Sequence, residues 1–155
     1  MNSTSILAEK IEPARDGAAA AIAALLGAAD LPNGDIEAHL GNFLVWHGNG
    51  APMGAVGLEF YGPDALLRSL VVAPTQRGGG AGRALLRAIV ELARTRGAVR
   101  LYLLTTTAAS FFERLGFVRT NRGEVPPGIA GSTQFNGLCP VSATCMTARI
   151  ADIAA

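Results

Sequence analysis

Cysteine is scarce in this sequence, since its 155 residues include only Cys139 and Cys145. Two cysteines cannot build the disulfide framework of a small secreted domain, and both fit a reducing cytoplasm as free thiols. Charge is also scarce, because charged residues make up 16% of the chain and the net charge is +1. This balance gives no electrostatic reason to expect nucleic acid or a membrane surface as a partner.

Long apolar runs are missing as well. The alanine-rich run 18–29 is too short to span a bilayer. The acidic residues Glu9, Glu12 and Asp16 precede this run, where a secretory signal would carry basic residues. Half of the residues are nevertheless hydrophobic, which is enough for a real core. We therefore expect one globular, cytoplasmic domain over residues 1–155.

Residues 70–86 combine three different elements in a short space. Residues 70–72 are apolar, as in a buried strand, and Pro74 ends the strand because it has no N–H to donate. Four glycines follow, namely Gly78, Gly79, Gly80 and Gly82, and a helical pattern begins at Ala81. Because the first N–H groups of a helix are unpaired and partly positive, this arrangement predicts an anion site, with pyrophosphate as the obvious ligand.

The remaining elements follow from periodicity and turn residues. Strands are predicted over 5–12, 42–47, 52–60, 65–72, 99–104, 117–120 and 143–150. Helices are predicted over 14–29 (with Pro13 at the start), 35–40 (with Asp35 as the cap), 81–96 and 108–115. The strand–helix–strand order over 65–104 implies a parallel pair of strands with a crossover helix.

Two motifs in this order resemble the GNAT superfamily of N-acetyltransferases. Arg77-x-x-Gly80-x-Gly82 is similar to the family's acetyl-CoA-binding motif, and FFERLGF at 111–117 resembles its later aromatic-Tyr-x-x-x-Gly-Phe signature. The resemblance implies a mixed α/β (α+β) fold. Its mostly antiparallel central sheet has about six to seven strands, its central parallel strands splay apart, and about four helices flank it. It also implies an acetyl-CoA-dependent enzyme without a metal, which acts on the amine of a small molecule and could form a homodimer.

Further segments resemble the arsenic-resistance-associated N-acetyltransferases of bacterial ars operons. These segments are LRSLVV at 67–72, LYLLTTTA at 101–108, the same FF-x-x-x-GF signature, and LCPVSATCM at 138–146. This subfamily implies an amino-acid-like organoarsenical, or a related toxic amine, as the acceptor. Two other functions remain open, a non-catalytic acyl-CoA sensor and a protein N-acetyltransferase.

The resemblance assigns several residues to the coenzyme. Backbone N–H groups from Arg77 to Gly82, with Gly78, Gly79 and Gly80 between them, are expected to meet the pyrophosphate. Arg77 and Arg83 either add charge-assisted bonds to phosphate or form a solvated surface. The family's pattern implies that Leu70 and Val72 pair with the pantetheine arm through their backbone. Phe111 and Phe112 either lie beside the thioester or pack in the core.

Glu59 is the predicted general base, with a surface glutamate on an edge strand as the alternative. The proton donor is open, because Phe112 stands where the family often has tyrosine. Tyr61, Ser69, Thr105 and Cys139 are the candidates for that role. A backbone N–H at Leu70 or Val72 is expected to stabilise the oxyanion.

Arg68 interrupts an apolar strand and so needs a partner. It is either a clamp for a substrate carboxylate or half of an internal salt bridge, with Glu59 or Glu113 as the other half. Thr105 and Thr106 follow a parallel strand, where ligands of open sheets bind, and with Tyr61 they are expected to contact the acceptor. The alternative for the threonines is helix capping by Thr106 or Thr107.

Cys139 and Cys145 have two interpretations. Thiolates favour soft As(III), but the spacing matches no known metal site and a third ligand is absent. Buried structural thiols are the alternative, and no metal site is predicted.

Overall fold

The structure is a computed structural model that describes residues 10–48 and 50–155. Its strands are β1 Ile11–Pro13, β2 Phe43–Gly48, β3 Ala51–Tyr61, β4 Asp64–Val72, β5 Arg100–Thr105, β6 Val118–Arg119 and β7 Thr144–Arg149. Its helices are α1 Ala19–Ala28, α2 Ile36–His39, α3 Ala81–Thr95, α4 Ala109–Arg114 and α5 Pro127–Ala130. Within the predicted strand 5–12, residues 5–9 lie outside the described residues.

The seven strands form one sheet in the order β1-β2-β3-β4-β5-β7-β6. The pair β4–β5 is parallel, whereas β1–β2, β2–β3, β5–β7 and β6–β7 are antiparallel. The parallel register joins Asp64–Leu66 to Arg100–Tyr102, and both strands continue beyond it, β4 to Val72 and β5 to Thr105. The predicted mixed, mostly antiparallel fold is confirmed, and the short parallel register agrees with the predicted splay.

The residues group into two compact units. The first contains the described part of Met1–Leu58 together with Ser69–Leu92, and the second contains Glu59–Arg68 and Ala93–Ala155. Strands β3 and β4 and helix α3 contribute residues to both units. A single domain over 1–155 stays a prediction.

The core of the first unit lies between α1 and the strands of that unit. Its buried residues are Ala19, Ile22, Leu26, Ile36, Phe43, Val45, Ala55 and Val71. The predicted start of α1 at residue 14 is wrong, because Pro13 belongs to β1 and Gly17 takes a left-handed φ of 89° that interrupts any helix. Asp35 occupies the predicted N-cap position of α2, but its side chain makes no capping hydrogen bond to this helix.

In the second unit, one apolar cluster lies under the segment that precedes β7. Leu66, Val125, Ile129 and Cys145 are buried there, and Tyr61, Tyr102, Leu104 and Phe135 pack against them. Residues 124–140 therefore do more than connect β6 to β7. They supply α5 and a wide helical turn, Gln134–Leu138, that holds apolar side chains against this core.

Helix α3 is amphipathic and packs closely at β3. Its buried residues recur at helical spacing and are Ala81, Ala84, Leu85, Leu86, Ile89 and Ala93. A Cβ atom at Gly54 of β3 would lie 2.9 Å from Cδ1 of Leu85, so glycine is what allows the close approach. None of the described helices is both long and apolar enough to traverse a bilayer.

Candidate active site

The glycine-rich stretch forms the predicted strand, turn and helix. Strand β4 ends at Val72, a single 3₁₀ turn covers Pro74–Gln76, and α3 begins at Ala81. Gly78 and Gly80 both have φ of 87°, a left-handed conformation that side chains disfavour. The turn is exposed from Arg77 to Gly80.

The charge of this stretch suits an anion. Residues 70–86 contain Arg77 and Arg83 and no acidic residue. Arg83 and Arg77 are both exposed, and Gly82 is half-buried at the second position of α3. A helix N-terminus, an exposed glycine turn and two guanidinium groups are the features that phosphate groups prefer, and the phosphate site stays a prediction.

Arg77 also contacts the strand that precedes it. Its Nε donates a hydrogen bond of 3.2 Å to the carbonyl oxygen of Val72. Val72 and Leu70 are both half-buried at the end of β4. The backbone of Val72 is one of the two predicted contacts for the pantetheine arm, so this bond places Arg77 beside that position.

Glu59, Tyr61 and Arg68 meet in the second unit. The hydroxyl of Tyr61 donates to Oε1 of Glu59 at 2.5 Å, and Nη1 of Arg68 donates to Oε2 of the same carboxylate at 2.8 Å. The side chains of Arg68 and Glu59 are 0% and 3% exposed, whereas Tyr61 is half-buried. Of the two interpretations of Arg68, the structure shows the internal ion pair with Glu59. Glu59 is not a surface residue.

Ser69, the other predicted catalytic residue, has an unusual backbone. Its φ is 60°, in the left-handed region that few residues other than glycine adopt. A residue other than glycine in this region is strained. The side chain is half-buried.

The two phenylalanines of the later motif lie on α4. Phe112 is 5% exposed and packs edge-on against Phe111 and Phe117, with ring centroids 5.2 and 5.3 Å away. Phe111 is half-buried. The structure thus shows Phe112 in the core, the alternative that the sequence left open.

Thr105 is the last residue of β5, and Thr106 is the residue after it. Oγ1 of Thr105 accepts a hydrogen bond of 3.0 Å from the N–H of Ala108, the residue before α4. Thr106 and Thr107 are exposed. A threonine does fasten the start of α4, but it is Thr105 and not Thr106 or Thr107.

Arg122 makes four contacts with the segment 134–141, one of which is a hydrogen bond of 3.5 Å from its Nη1 to the carbonyl oxygen of Val141. Its Nη1 donates to the carbonyl oxygen of Pro140 at 2.9 Å, and its Nη2 donates to that of Phe135 at 3.0 Å. The guanidinium also lies 5.4 Å from the centroid of the Phe135 ring. A planar donor with several N–H groups is required for this geometry, so lysine would not replace it.

Both cysteines are free thiols in this unit. Sγ of Cys139 donates to Oε1 of Gln134 at 3.1 Å. Burial raises the pKa of Cys145, and the positive charge of Arg122 opposes that rise in pKa. A buried thiol of raised pKa stays protonated and unreactive, which favours a structural role for Cys145.

Sequence reasoning missed Gly128 and Arg122. A Cβ atom at Gly128 would lie 2.9 Å from Cδ1 of Tyr61, so the tyrosine ring rests on the backbone of α5. The only local signal is the Pro126-Pro127-Gly128 run, which marks a helix start rather than a contact with a distant ring.

Comparisons with known proteins identify the family of this chain. The family model described as "Acetyltransferase (GNAT) domain" matches residues 39–119, which is more than half of the chain. An amino-acid acetyltransferase from Ralstonia nicotianae is 32% identical over 93 residues, which are 59% of this chain and 21% of that protein.

Solved structures give the same result. N-acetylglutamate synthase from Neisseria gonorrhoeae, complexed with coenzyme A and N-acetyl-glutamate, has a TM-score of 0.79 and 26% identity over 90% of this chain and 34% of its own. A Mycobacterium tuberculosis protein in complex with CoA, at 19% identity and a TM-score of 0.75, covers 90% of this chain and 98% of its own and shows the fold.

This chain spans about a fifth of the length of the curated relatives it matches. The match to the family model includes the glycine-rich turn, Glu59, Arg68 and the FFERLGF signature. The predicted family is therefore confirmed, and the chain belongs to the GNAT acetyltransferases.

Proposed function

We propose that this protein transfers the acetyl group of acetyl-CoA to the amino group of a small, amino-acid-like acceptor. The observation that carries the proposal is the exposed, acid-free glycine turn at the start of α3, inside the segment that matches the GNAT family. Two structural relatives hold coenzyme A, which supports the same co-substrate here.

The glycine turn would hold the coenzyme through its phosphates. N–H groups at the start of α3 would donate to the pyrophosphate, and Arg77 and Arg83 would neutralise its charge. The backbones of Leu70 and Val72 would align the pantetheine arm. One N–H of β4 would then stabilise the negative oxygen that forms when the amine attacks the thioester.

The acceptor class follows from the relatives. Curated relatives are described as amino-acid acetyltransferases, and N-acetylglutamate synthase was solved with an acetylated amino acid. An amino acid has the amine that the reaction needs. An amino-acid-like arsenical is a special case of this class, so the arsenic-resistance subfamily stays a prediction within the proposal.

Three further assignments also stay predictions: the cytoplasmic location, a homodimer, and the roles of Phe111, Thr105 and Thr106 beside the substrates. A sensor that binds acyl-CoA without turnover is the second candidate. The buried, hydroxyl-free ring of Phe112 favours that sensor, because the residue cannot protonate the departing thiolate.

Release of free thiol from acetyl-CoA tests the proposal. The protein is mixed with acetyl-CoA and single amines: α-amino acids, the matching decarboxylated amines, an amino-acid-like arsenical, and a peptide with a free N-terminus. We expect thiol release that depends on an amino acid, with the acetylated product confirmed by mass. Binding of acetyl-CoA without thiol release for any amine would favour the sensor.

A further inference from the structure

A cavity of about 170 Å³ lies in the first unit, between α1 and the strands β1, β2 and β3. Seven of its ten described lining residues are apolar, and two of them, Ile22 and Val45, are buried. A dry apolar cavity of about 150 Å³ is large enough to hold benzene, so this one has room for the apolar part of a small ligand. None of its described lining residues belongs to the glycine-rich stretch 70–86.

Three polar side chains stand together on the wall of this cavity. Nη2 of Arg15 donates to Oε2 of Glu12 at 3.5 Å, and Nε2 of His47 lies 3.2 Å from Oε1 of the same carboxylate. The side chains of Arg15, Glu12 and His47 are 82%, 42% and 36% exposed. A ligand in the cavity therefore meets a carboxylate and a guanidinium that are both accessible from solvent.

Charge complementarity decides between the classes of ligand. A simple amine would bond to Glu12 and leave the guanidinium of Arg15 unused. A simple carboxylic acid would bond to Arg15, but it would also face the negative charge of Glu12. An α-amino acid carries an ammonium and a carboxylate on one carbon atom, so it can form a charge-assisted hydrogen bond with each side chain. Its side chain would then extend over the apolar wall, where burial is favourable.

We propose that this cavity binds an α-amino acid with an apolar side chain. The ammonium group of the ligand contacts Glu12, its carboxylate contacts Arg15, and its side chain lies against Ala21 and Ile22. This inference goes beyond the proposed function, because binding at this place requires neither acetyl-CoA nor acetyl transfer.

The amino acid in this cavity is held without being acetylated. An amine attacks a thioester through the free electron pair of its nitrogen, and a protonated amine has none. Contact with the carboxylate of Glu12 favours the protonated form of the ligand. The cavity is therefore a holding site for an amino acid and not the place where the acceptor reacts.

Binding of L-leucine to the wild-type protein, without acetyl-CoA, tests the class of ligand. Calorimetry measures the affinity, and the fluorescence of Trp46 reports it independently. Trp46 is the only tryptophan of the chain and stands in β2 between Val45 and His47, which both line the cavity. Isoamylamine and isocaproic acid are the matched analogues that lack the carboxylate and the amine. We expect leucine to bind at least about 10-fold more tightly than either analogue.

Glu12→Gln tests the contact with the ammonium group. Glu37→Gln is the matched control, because Glu37 is exposed in the first turn of α2 and does not line the cavity. The dissociation constant of leucine should rise about 10-fold or more in Glu12→Gln and stay the same in Glu37→Gln.

Ala21→Leu tests the apolar wall, because the larger side chain would fill part of the cavity. Ala24→Leu makes the same change on α1 at an exposed position that does not line the cavity. Leucine binding should be lost in Ala21→Leu and kept in Ala24→Leu. Circular dichroism and the affinity for acetyl-CoA, unchanged in both variants, would show that both are folded.

Three results would overturn the proposal. The first is leucine binding no tighter than binding of the two analogues. The second is leucine binding that neither Glu12→Gln nor Ala21→Leu weakens. The third is a parallel loss of leucine binding and leucine acetylation in Ala21→Leu with unchanged affinity for acetyl-CoA, since the cavity would then be the acceptor site.

The failures of the two proposals are distinguishable. The binding assay contains no acetyl-CoA, so a negative result there leaves acetyl transfer untouched. A protein that binds leucine as described, but releases no thiol with any amine, would contradict the proposed function alone.

Discussion

Arg68 and Glu59 form an ion pair of 2.8 Å between side chains that are 0% and 3% exposed. A buried charge is tolerated only with a partner, because transfer of a lone ion from water into a protein interior costs several kcal/mol. The carboxylate of Glu59 explains how Arg68 is tolerated within the apolar strand β4. The guanidinium of Arg68 in turn explains how Glu59 is tolerated among the apolar residues of β3.

Arg68→Met should destabilise the protein strongly, because it leaves the carboxylate of Glu59 buried without its guanidinium. We expect a loss of about 3–5 kcal/mol in the free energy of unfolding, measured by urea denaturation. The double variant Glu59→Leu/Arg68→Met should recover most of that loss. A single variant as stable as wild type would show that the pair does not matter for the fold.

Gly82→Val should abolish tight binding of acetyl-CoA while the fold is kept. The branched side chain would stand at the second residue of α3, where the N–H groups are expected to meet the pyrophosphate. We expect the dissociation constant to rise about 100-fold, which corresponds to about 2.7 kcal/mol, by calorimetry. Gly34→Val is the control, since a Cβ there meets nothing within 4 Å. Unchanged affinity in Gly82→Val would remove the glycine turn from the coenzyme site.

Cys145 should make the protein less stable at alkaline pH. Burial raises the pKa of its thiol in the folded state. As pH rises above about 8.5, the thiol therefore loses its proton in the unfolded state, while the thiol of the folded state still keeps its proton. Fewer protons on the unfolded chain mean that the free energy of unfolding falls with pH. The difference between wild type and Cys145→Ala, followed by denaturation from pH 7.5 to 10, should show this fall. A constant difference would contradict it.

Arg122→Lys should loosen the segment 134–141 without unfolding the rest. Lysine cannot donate to the carbonyl oxygens of Phe135 and Pro140 and also lie flat on the Phe135 ring. We expect a local loss of about 1–3 kcal/mol, seen as faster hydrogen exchange at the amides of Leu138 and Cys139. Equal exchange rates in the two proteins would show that the contacts of Arg122 do not stabilise this segment.

Local patterns predicted most elements, because apolar periodicity and turn residues decide them directly. The helix at 81–96 and the strands at 52–60 and 65–72 were placed within one or two residues of their observed bounds. The predicted start of α1 was wrong because Pro13 suits a helix start as well as a strand end. Only the pairing of β1 with β2 distinguishes the two, and this pairing joins segments that are distant in the sequence.

The residues of the candidate site also divide into those that local patterns predict and those that contacts between distant segments bring together. The glycine turn is local, so its residues were identified from their order in the chain. The contacts of Tyr61 with Gly128 and of Arg122 with Pro140 join residues 67 and 18 positions apart, and no spacing rule relates them. Arg68 lies between these cases, since its need for a partner was evident and Glu59 was one of two predicted partners.

Acetyl transfer by the protein itself is the most direct test of the central claim. Acetyl-CoA labelled in its acetyl group is incubated with the wild-type chain and with Gly82→Val, in the presence of the amino acid that gives the fastest thiol release. The account predicts that the wild-type chain places the label on the amino nitrogen, one label for each thiol released, and that Gly82→Val does so far more slowly. Thiol release without a labelled amine, or equal labelling by both proteins, would contradict it.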